Sequence, residues 1–457
     1  MSIADVITSA VLPPGADPPE PELIVTGSGE TKDFFPVTEL ATQSIAAASC
    51  ALARYAGQES ASVDRRLASL WFSTSLRPKG WHLPDVWDEF SGNYRVNDGW
   101  IRLHTNAIAH RQSALAVLGY PSDRSAAELA AEDWSALALQ EAVIDAGGAA
   151  AVMYSSDQWS VHPQGQMVMR EPLVSWHMTN GVKTDHDHRS DHRRPLSGIK
   201  VLDLTRIIAG PVATRFLAAF GAFVLRIDPP GWDEIGNIPE MTPGKHCAGL
   251  DLKTPKGKHE LAKLIAEADV LVHGYRADAL ECLGFGEAER RDLNPGLIDV
   301  GLNAFGWTGP WRDRRGFDSL VQMSSGIAEA GMRLSYTDKP RPLTVQALDH
   351  ATGYCVAAAI LNALSHRRET GQVASARLSL AATAEVLKNA QSSNRGIGAG
   401  FAMESSSDIA PAVENTDWGP AHRLNFPMKV VGIKAEWATP SVSLHTSEPR
   451  FSDFSKV

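Results

Sequence analysis

The chain has 457 residues, 44% of them hydrophobic and 21% charged, and its 43 Lys+Arg against 53 Asp+Glu leave a formal net charge of -10. That length supports two or three domains with sizeable cores, and the acidic balance argues against a partner held through its phosphate backbone, so nucleic acid is not expected. No apolar run approaches the roughly 20 residues that span a bilayer, so a membrane is not expected either.

Taken in order, residues 1–36 carry prolines and no basic-then-apolar leader pattern, which reads as a loose N-terminal arm. LATQSIAAASCALARYAGQ follows as a helix from about Thr38, and ESASVDRRLASLWF as a mixed segment. In SGNYRVNDGWIRLHTN, Asn97-Asp98-Gly99 sits between β-prone flanks as a hairpin turn. SDRSAAELAAEDWSALALQEAVIDAGG reads as helical, with Ser122 or Asp123 as cap and Gly147-Gly148 as stop. His104, His110 and Arg111 lie near the hairpin and are expected on the polar surface.

The run 179–196, NGVKTDHDHRSDHRRPL at its heart, has almost no apolar content and marks a polar linker. His186, His188 and His192 lie in it, but a flexible tract seldom fixes the second layer of bonds a metal site needs, so no metal is expected. The expected division is 1–36 arm, 37–178 small α+β domain, 179–196 linker and 197–457 large domain.

Beyond the linker, Ile199, Val201, Leu202 and Leu204 give a buried strand, Gly210-Pro211 opens a helix that Gly221 ends, and Phe223 to Ile227 gives the next strand. GLDLKTPKGKHELAKLIAEADVLVHGY continues with a capped amphipathic helix and the strand Val270 to Val272, and NPGLIDVGLNAFG adds another. The fold class is therefore α/β: a large domain with a Rossmann-like parallel sheet and a smaller α+β domain placed N-terminal to it. The GxGxxG pattern of a dinucleotide site is missing after the first strand, where the chain reads AGP, so the fold does not imply NAD.

In RPLTVQALDHATGYCVAAAILNALSHRRETGQVASARLSL, Asp349 stands at the mouth of a nearly uncharged helix. An aspartate there is either an N-cap or a carboxylate placed at an element junction for chemistry. The helix ends near His366, Arg367 and Arg368, with Gly371 as stop and a strand after it. The earlier Ala-rich helix repeats this pattern: Ala41 against Ala351 is an offset of 351 − 41 = 310, and Gly57 against Gly371 is 371 − 57 = 314. Glu39 then falls opposite Asp349, so the earlier helix reads as a degenerate repeat of the Asp349 helix. The four cysteines, Cys50, Cys247, Cys282 and Cys355, form no CxxC pair and fit buried thiols of a reducing, cytoplasmic compartment.

VLDLTRIIAGPVATRFLAAFGAFVLRIDPP, the GLDLKTPKGKHELAKLIAEADVLVHGYRADALECLGFG run, NPGLIDVGLNAFGWTGP, RRGFDSLVQMSSG and the Asp349 segment together resemble the class III CoA-transferases. That group includes formyl-CoA transferase, carnitine CoA-transferase and the bile-acid-inducible F proteins, with α-methylacyl-CoA racemase among its relatives. The resemblance covers Leu196 to about Leu387. It implies an enzyme in which Asp349 is acylated by an acyl-CoA and then carries CoA as an aspartyl thioester to a carboxylic acid acceptor, with coenzyme A as acyl-CoA substrate. It also implies CoA contacts at Ala209, Gly210, Pro211, Leu250, Lys253, His273, Tyr275 and Arg276, and a homodimer whose chains interlock. Backbone N–H groups at the start of the Asp349 helix, or Gly396, Gly398 and Gly400, are the candidate oxyanion donors and lid, a plain flexible loop being the equal alternative for the glycines.

The chain departs from the resemblance at Pro229, Gly274 and Cys282, and in domain order, since small-domain text precedes the large domain. An inactive CoA-binding homologue is the alternative. A racemase is the less favoured one, because Phe317 stands before Asp318 where racemases carry histidine.

Overall fold

The structure, a computed structural model, describes residues 1–180, 192–390 and 400–451. Residues 1–36 are more ordered than their prolines suggest. Ser2 and Asp5 form a capping box for α1 (Ile3–Ala10), which buries Ile3 and Ile7, and β1 (Glu22–Thr26) follows. Then come α2 (Val37–Ala56), β2 (Ser60–Asp64) and α3 (Arg65–Trp71).

The hairpin forms as expected, β3 (Gly92–Val96) against β4 (Gly99–Leu103), and helix α4 (Ile108–Val117) follows it. The next stretch is two helices rather than one, α5 (Arg124–Glu132) capped by Asp123 and α6 (Ala136–Asp145) capped by Ser135. Asp98 also bonds the Ala136 N–H, so the break is tied to the hairpin turn. Strand β5 (Ala150–Val152) completes this sheet, which has its own core around Tyr94, Ile101, Leu139 and Val143.

The main sheet takes β6 (Val174–Asn180), β7 (Lys200–Leu204), β8 (Phe223–Asp228), β9 (Lys245–Gly249), β10 (Val270–His273), β11 (Ile298–Asn303) and β12 (Gln372–Ser379). Their order is β9-β8-β7-β10-β11-β12-β6, all parallel except the edge strand β6. Counting from β7, the parallel strands run 3-2-1-4-5-6, the doubly wound order whose switch point lies between β7 and β10. Helix α7 (Ala209–Ala219) follows β7, and α8 (Pro255–Glu267), capped by Thr254, precedes β10. After β11 come α9 (Asp318–Ser324), α10 (Ala347–Thr370) and, past β12, α11 (Leu380–Asn389) capped by Ser379. Strand β13 (Met428–Val430) returns to pair with β2.

The core does not respect the expected boundary at 179–196. Leu40, Val174, Val201 and Ala357 belong to one packed cluster, and β6 closes the main sheet although it precedes the linker. Most of the linker, with His186 and His188, lies outside the described residues, as do Gly396 and Gly398. Gly400 is described, and its carbonyl accepts the Glu30 N–H. Of the four cysteines, all free, Cys282 is exposed rather than buried.

Candidate active site

Strand β7 ends in a hydrogen-bonded corner that explains why the sequence reads DLT. The buried Asp203 carboxylate accepts the Thr205 N–H at 2.9 Å, the Thr205 and Thr214 hydroxyls at 2.5 Å each, and Lys245 Nζ at 3.1 Å. Lys245 Nζ also donates to the Pro211 carbonyl at 3.1 Å, so strand, loop and α7 are fixed together. Gly210 is required in this corner, since a Cβ there would lie 2.2 Å from Thr205 Cβ. Just before α7, Ile207 adopts φ 68, a left-handed conformation that a β-branched residue rarely takes, and its N–H donates to Glu234 at 2.7 Å. Arg206 beside it lies over the rings of Trp232 at 4.2 Å and Tyr275 at 5.1 Å.

These loops open onto a cavity of about 280 Å3. Its walls come from the ends of β7, β10 and β11, from Arg314 to Phe317, and from Asp349. A larger space of about 600 Å3 lies at the far end of α10, lined by N-terminal prolines and the C-terminal turns of α2 and α10, away from Asp349.

Asp349 is not the cap of its helix. Helix α10 begins at Ala347, so Asp349 is its third residue, and Gln346 at the cap position makes no side-chain capping bond. The free N–H groups of the first turn are satisfied from elsewhere: Asp318, first residue of α9, accepts the Asp349 N–H at 2.9 Å and also the Leu348 N–H. Gln322 Nε2 donates to the same carboxylate. This leaves the Asp349 side chain, 6% exposed, with no hydrogen bond to its carboxylate among the described residues. Burial, and next the Asp318 charge, push its carboxyl well above the usual range; burial raises Asp318 to about 6 against its hydrogen bonds. Two coupled carboxyls thus share a desolvated site, and their titration belongs to the pair.

Of the residues the resemblance implies for CoA, Ala209, Tyr275 and Arg276 line this cavity with Asp349. Gly210 and Pro211 are buried within the first turn of α7. His273 lies in the sheet outside the cavity lining, where Asp299 holds its Nε2 at 3.1 Å and also binds Arg290 and Arg377. Leu250 is buried in the core beneath β8, and Lys253 is exposed outside the cavity wall. Arg314 and Arg315 do line the cavity and were not expected; the basic run before Gly316-Phe317-Asp318 was the available signal. His104 and His110 are buried rather than on the surface, His104 stacked on Phe317 at 3.7 Å, while Arg111 pairs with Asp88 at 2.9 Å. Glu39 is half-buried, its carboxylate bound to Gln43 Nε2 at 2.9 Å. Among the described residues no group of three His, Cys, Asp or Glu is arranged to hold a metal.

Residues 196–417 match the model of CoA-transferase family III. Over those residues the chain is similar to that family. It is 32% identical over 306 residues to an acetyl-coenzyme A transferase of Hypoxylon pulicicidum, covering 61% of this chain and 51% of that protein. Against a probable fatty acyl-CoA transferase of Mycobacterium tuberculosis the identity is 34% over 199 residues, 40% of this chain and 49% of the relative. Against formyl-CoA:oxalate CoA-transferase of Escherichia coli it is 33% over 192 residues, 39% and 45%. The chain thus spans about half the length of the curated relatives it matches. A crystal structure of the Mycobacterium tuberculosis family member superposes with TM-score 0.39 and 31% identity, covering 42% of this chain and 56% of that one. Among the described residues no helix is long and apolar enough to cross a membrane.

Proposed function

We propose that the chain is a CoA-transferase that moves CoA from an acyl-CoA donor to a carboxylic acid, with Asp349 as the nucleophile. The observation that carries this reading is the Asp349 carboxylate, free of hydrogen bonds among the described residues, in a cavity at the switch point of a doubly wound sheet. Ligands of open α/β sheets collect at that place. One oxygen of the ionised carboxylate adds to the thioester carbonyl, and collapse of the adduct expels the CoA thiolate and leaves an acyl-aspartyl anhydride. The thiolate then attacks the aspartyl carbonyl, releasing the donor acid and leaving an aspartyl-CoA thioester. An acceptor carboxylate takes over CoA through a second anhydride, regenerating Asp349. Arg276, Arg314 and Arg315 give the mouth of the cavity a positive field for phosphate and carboxylate groups.

The enolising alternative lacks its group beside Asp318, where Phe317 stands. For assembly, α2 and α10 lie side by side within one chain, Arg54 donating to Asn362 Oδ1 at 3.1 Å and Arg368 set over the Tyr55 ring at 4.9 Å. The flank of α10 is therefore filled in cis, which favours one self-sufficient chain of 49.3 kDa. A light-scattering mass of twice that would restore the homodimer implied by the resemblance.

Intact-protein mass spectrometry after mixing with acetyl-CoA or succinyl-CoA tests the chemistry. A covalent CoA adduct that maps to Asp349 and is discharged by hydroxylamine is expected. No adduct from either thioester would overturn the reading.

A further inference from the structure

One residue in the wall of the Asp349 cavity comes from outside residues 196–417. It is His110, on the first turn of α4, carried there by the β3–β4–β5 sheet. His110 is 9% exposed, and its ring meets Phe317 edge-on with centroids 5.8 Å apart, while His104 stacks on the same phenyl ring. Phe317 directly precedes Asp318, the carboxylate that caps the Asp349 helix, so the small sheet is keyed into the site through three rings. Among the described residues the enclosed Nδ1 atom of His110 has no hydrogen-bond partner. With no acceptor there, the proton of the imidazole resides on Nε2, the nitrogen left to face the cavity. Burial, and next the Arg315 charge, lower its pKa to about 4, so the ring is neutral near pH 7 and donates a hydrogen bond without releasing a proton.

We propose that His110 is a catalytic residue of this site, its Nε2–H donating a hydrogen bond to the carbonyl oxygen of the acyl-CoA while Asp349 adds to the carbonyl carbon. This rests on Asp349 being the nucleophile. A lone pair of the Asp349 carboxylate forms the new C–O bond and the carbonyl π pair moves to the oxygen, where the Nε2–H holds it. The pair then returns to re-form C=O, the C–S bond breaks, and the thiolate leaves with its electrons. No proton is transferred to or from His110. The resulting oxyanion contact comes from a part of the chain that the family model does not include.

The test uses the full chain with acetyl-CoA and succinyl-CoA, reading the rate of CoA-adduct formation by rapid quench and its dependence on thioester concentration. His110→Ala is expected to slow adduct formation by about 10²–10³-fold while the half-saturating concentration moves less than about threefold. His110→Gln, whose amide N–H reaches the position of Nε2, should recover most of the rate; His110→Asn, whose amide reaches only the position of Nδ1, should not. Circular dichroism and melting temperature report folding for all three, and the Gln and Asn pair carries the test if the Ala variant unfolds. A folded Ala variant within threefold of the parent rate, or Gln and Asn variants of equal rate, overturns the role of His110 alone. A parent protein that forms no adduct overturns the Asp349 reading and this inference with it.

Discussion

Two parts of the molecule share one local architecture and differ in what surrounds it. Helix α2, strand β2 and helix α3 follow the same plan as α10, β12 and α11. Both long helices start from a residue of nearly identical conformation, Pro36 at φ -76, ψ 62 and Gln346 at φ -78, ψ 65. Each start is pinned by a bond between the first helical N–H and the carbonyl two residues earlier, Val37 to Phe35 at 2.7 Å and Ala347 to Val345 at 2.8 Å. Both end on a left-handed glycine, Gly57 or Gly371. Each following strand has a parallel neighbour on one side, β1 or β11, and an antiparallel one on the other, β13 or β6.

The difference lies in the neighbours. Strand β11 is buried at every residue and continues into the doubly wound sheet, whereas β1 is exposed at all five of its residues and stands at an edge. Gly353 of α10 lets α7 come so close that a Cβ there would lie 2.4 Å from the Ala209 carbonyl. At the same offset α2 carries Gln43, whose side chain holds Glu39. One helix therefore offers a cavity carboxylate with no hydrogen bond among the described residues, and the other a carboxylate bonded by the amide of its own next turn. The comparison shows that a helix-strand-helix unit is fixed by caps and periodicity, while chemistry depends on which residues admit a neighbouring layer.

The largest effect that would break this contrast comes from exchanging the carboxylates for amides. Asp349→Asn should lose CoA-adduct formation by about 10³-fold or more with its melting curve unchanged, because Asp318 supplies the cap. Glu39→Gln should stay within about twofold in the same assay. A Glu39 variant that lost adduct formation would mean that both helices carry chemistry.

The join between the two parts comes next. Glu240 is buried and accepts hydrogen bonds from Arg215 on α7, Arg423, Ser75 and the Leu76 N–H, so it clips three distant segments together. Burial opposes its ionisation, but Arg215 and Arg423 prevail and lower its pKa to about 2. Its folded pKa lies below its unfolded one, so this contribution is present above about pH 4.5 and is lost as pH falls toward 2. Glu240→Gln should cost roughly 3–5 kcal/mol in urea unfolding at pH 7, and the loss relative to the parent should shrink across that acid window.

Grafting the α2 residue into α10 tests the packing half of the contrast. Gly353→Gln should cost about 3 kcal/mol by forcing α7 away, whereas Gln43→Gly should cost only about 1 kcal/mol, the helix penalty of glycine. Equal costs in urea titrations would show that the close approach of α7 is not what distinguishes the helices.

The smallest effect is electrostatic. Asp349 must lose its proton to act, and burial and the Asp318 charge hold that proton on, so adduct formation should rise with pH along a limb that belongs to the carboxyl pair. Asp318→Asn keeps an acceptor for the Asp349 N–H but removes the repelling charge. The limb should move to lower pH, and a pH–rate profile that stays in place would remove Asp318 from the account.

Much of this frame was legible along the chain. The alternation of strand and helix from Ile199 onward, the Gly371 stop and the repeat offsets follow from periodicity and caps, which are local. Asp349 was legible as a carboxylate at an element junction, but its cap was not, because Asp318 reaches it from 31 residues away. His110 was misplaced on the surface for the same reason: nothing nearby shows that Phe317 and His104 will enclose it. Lys253 and His273 carried suitable charge or chemistry, yet one faces solvent and the other pairs with Asp299, a matter of which side of a strand end a side chain takes. The order of α1 was hidden by the prolines that follow it.

Ile207 bears on how such a site is kept. Its left-handed backbone costs of order 1–3 kcal/mol, and the structure holds it there through Glu234 at the entrance of the Asp349 cavity. Glycine at this position would relieve the strain, but it would forfeit the packing of the isoleucine side chain against the core and free the loop that carries Arg206. The isoleucine thus trades backbone strain for a side chain anchored in the core, and the anchored loop is the one that sets Arg206 at the cavity.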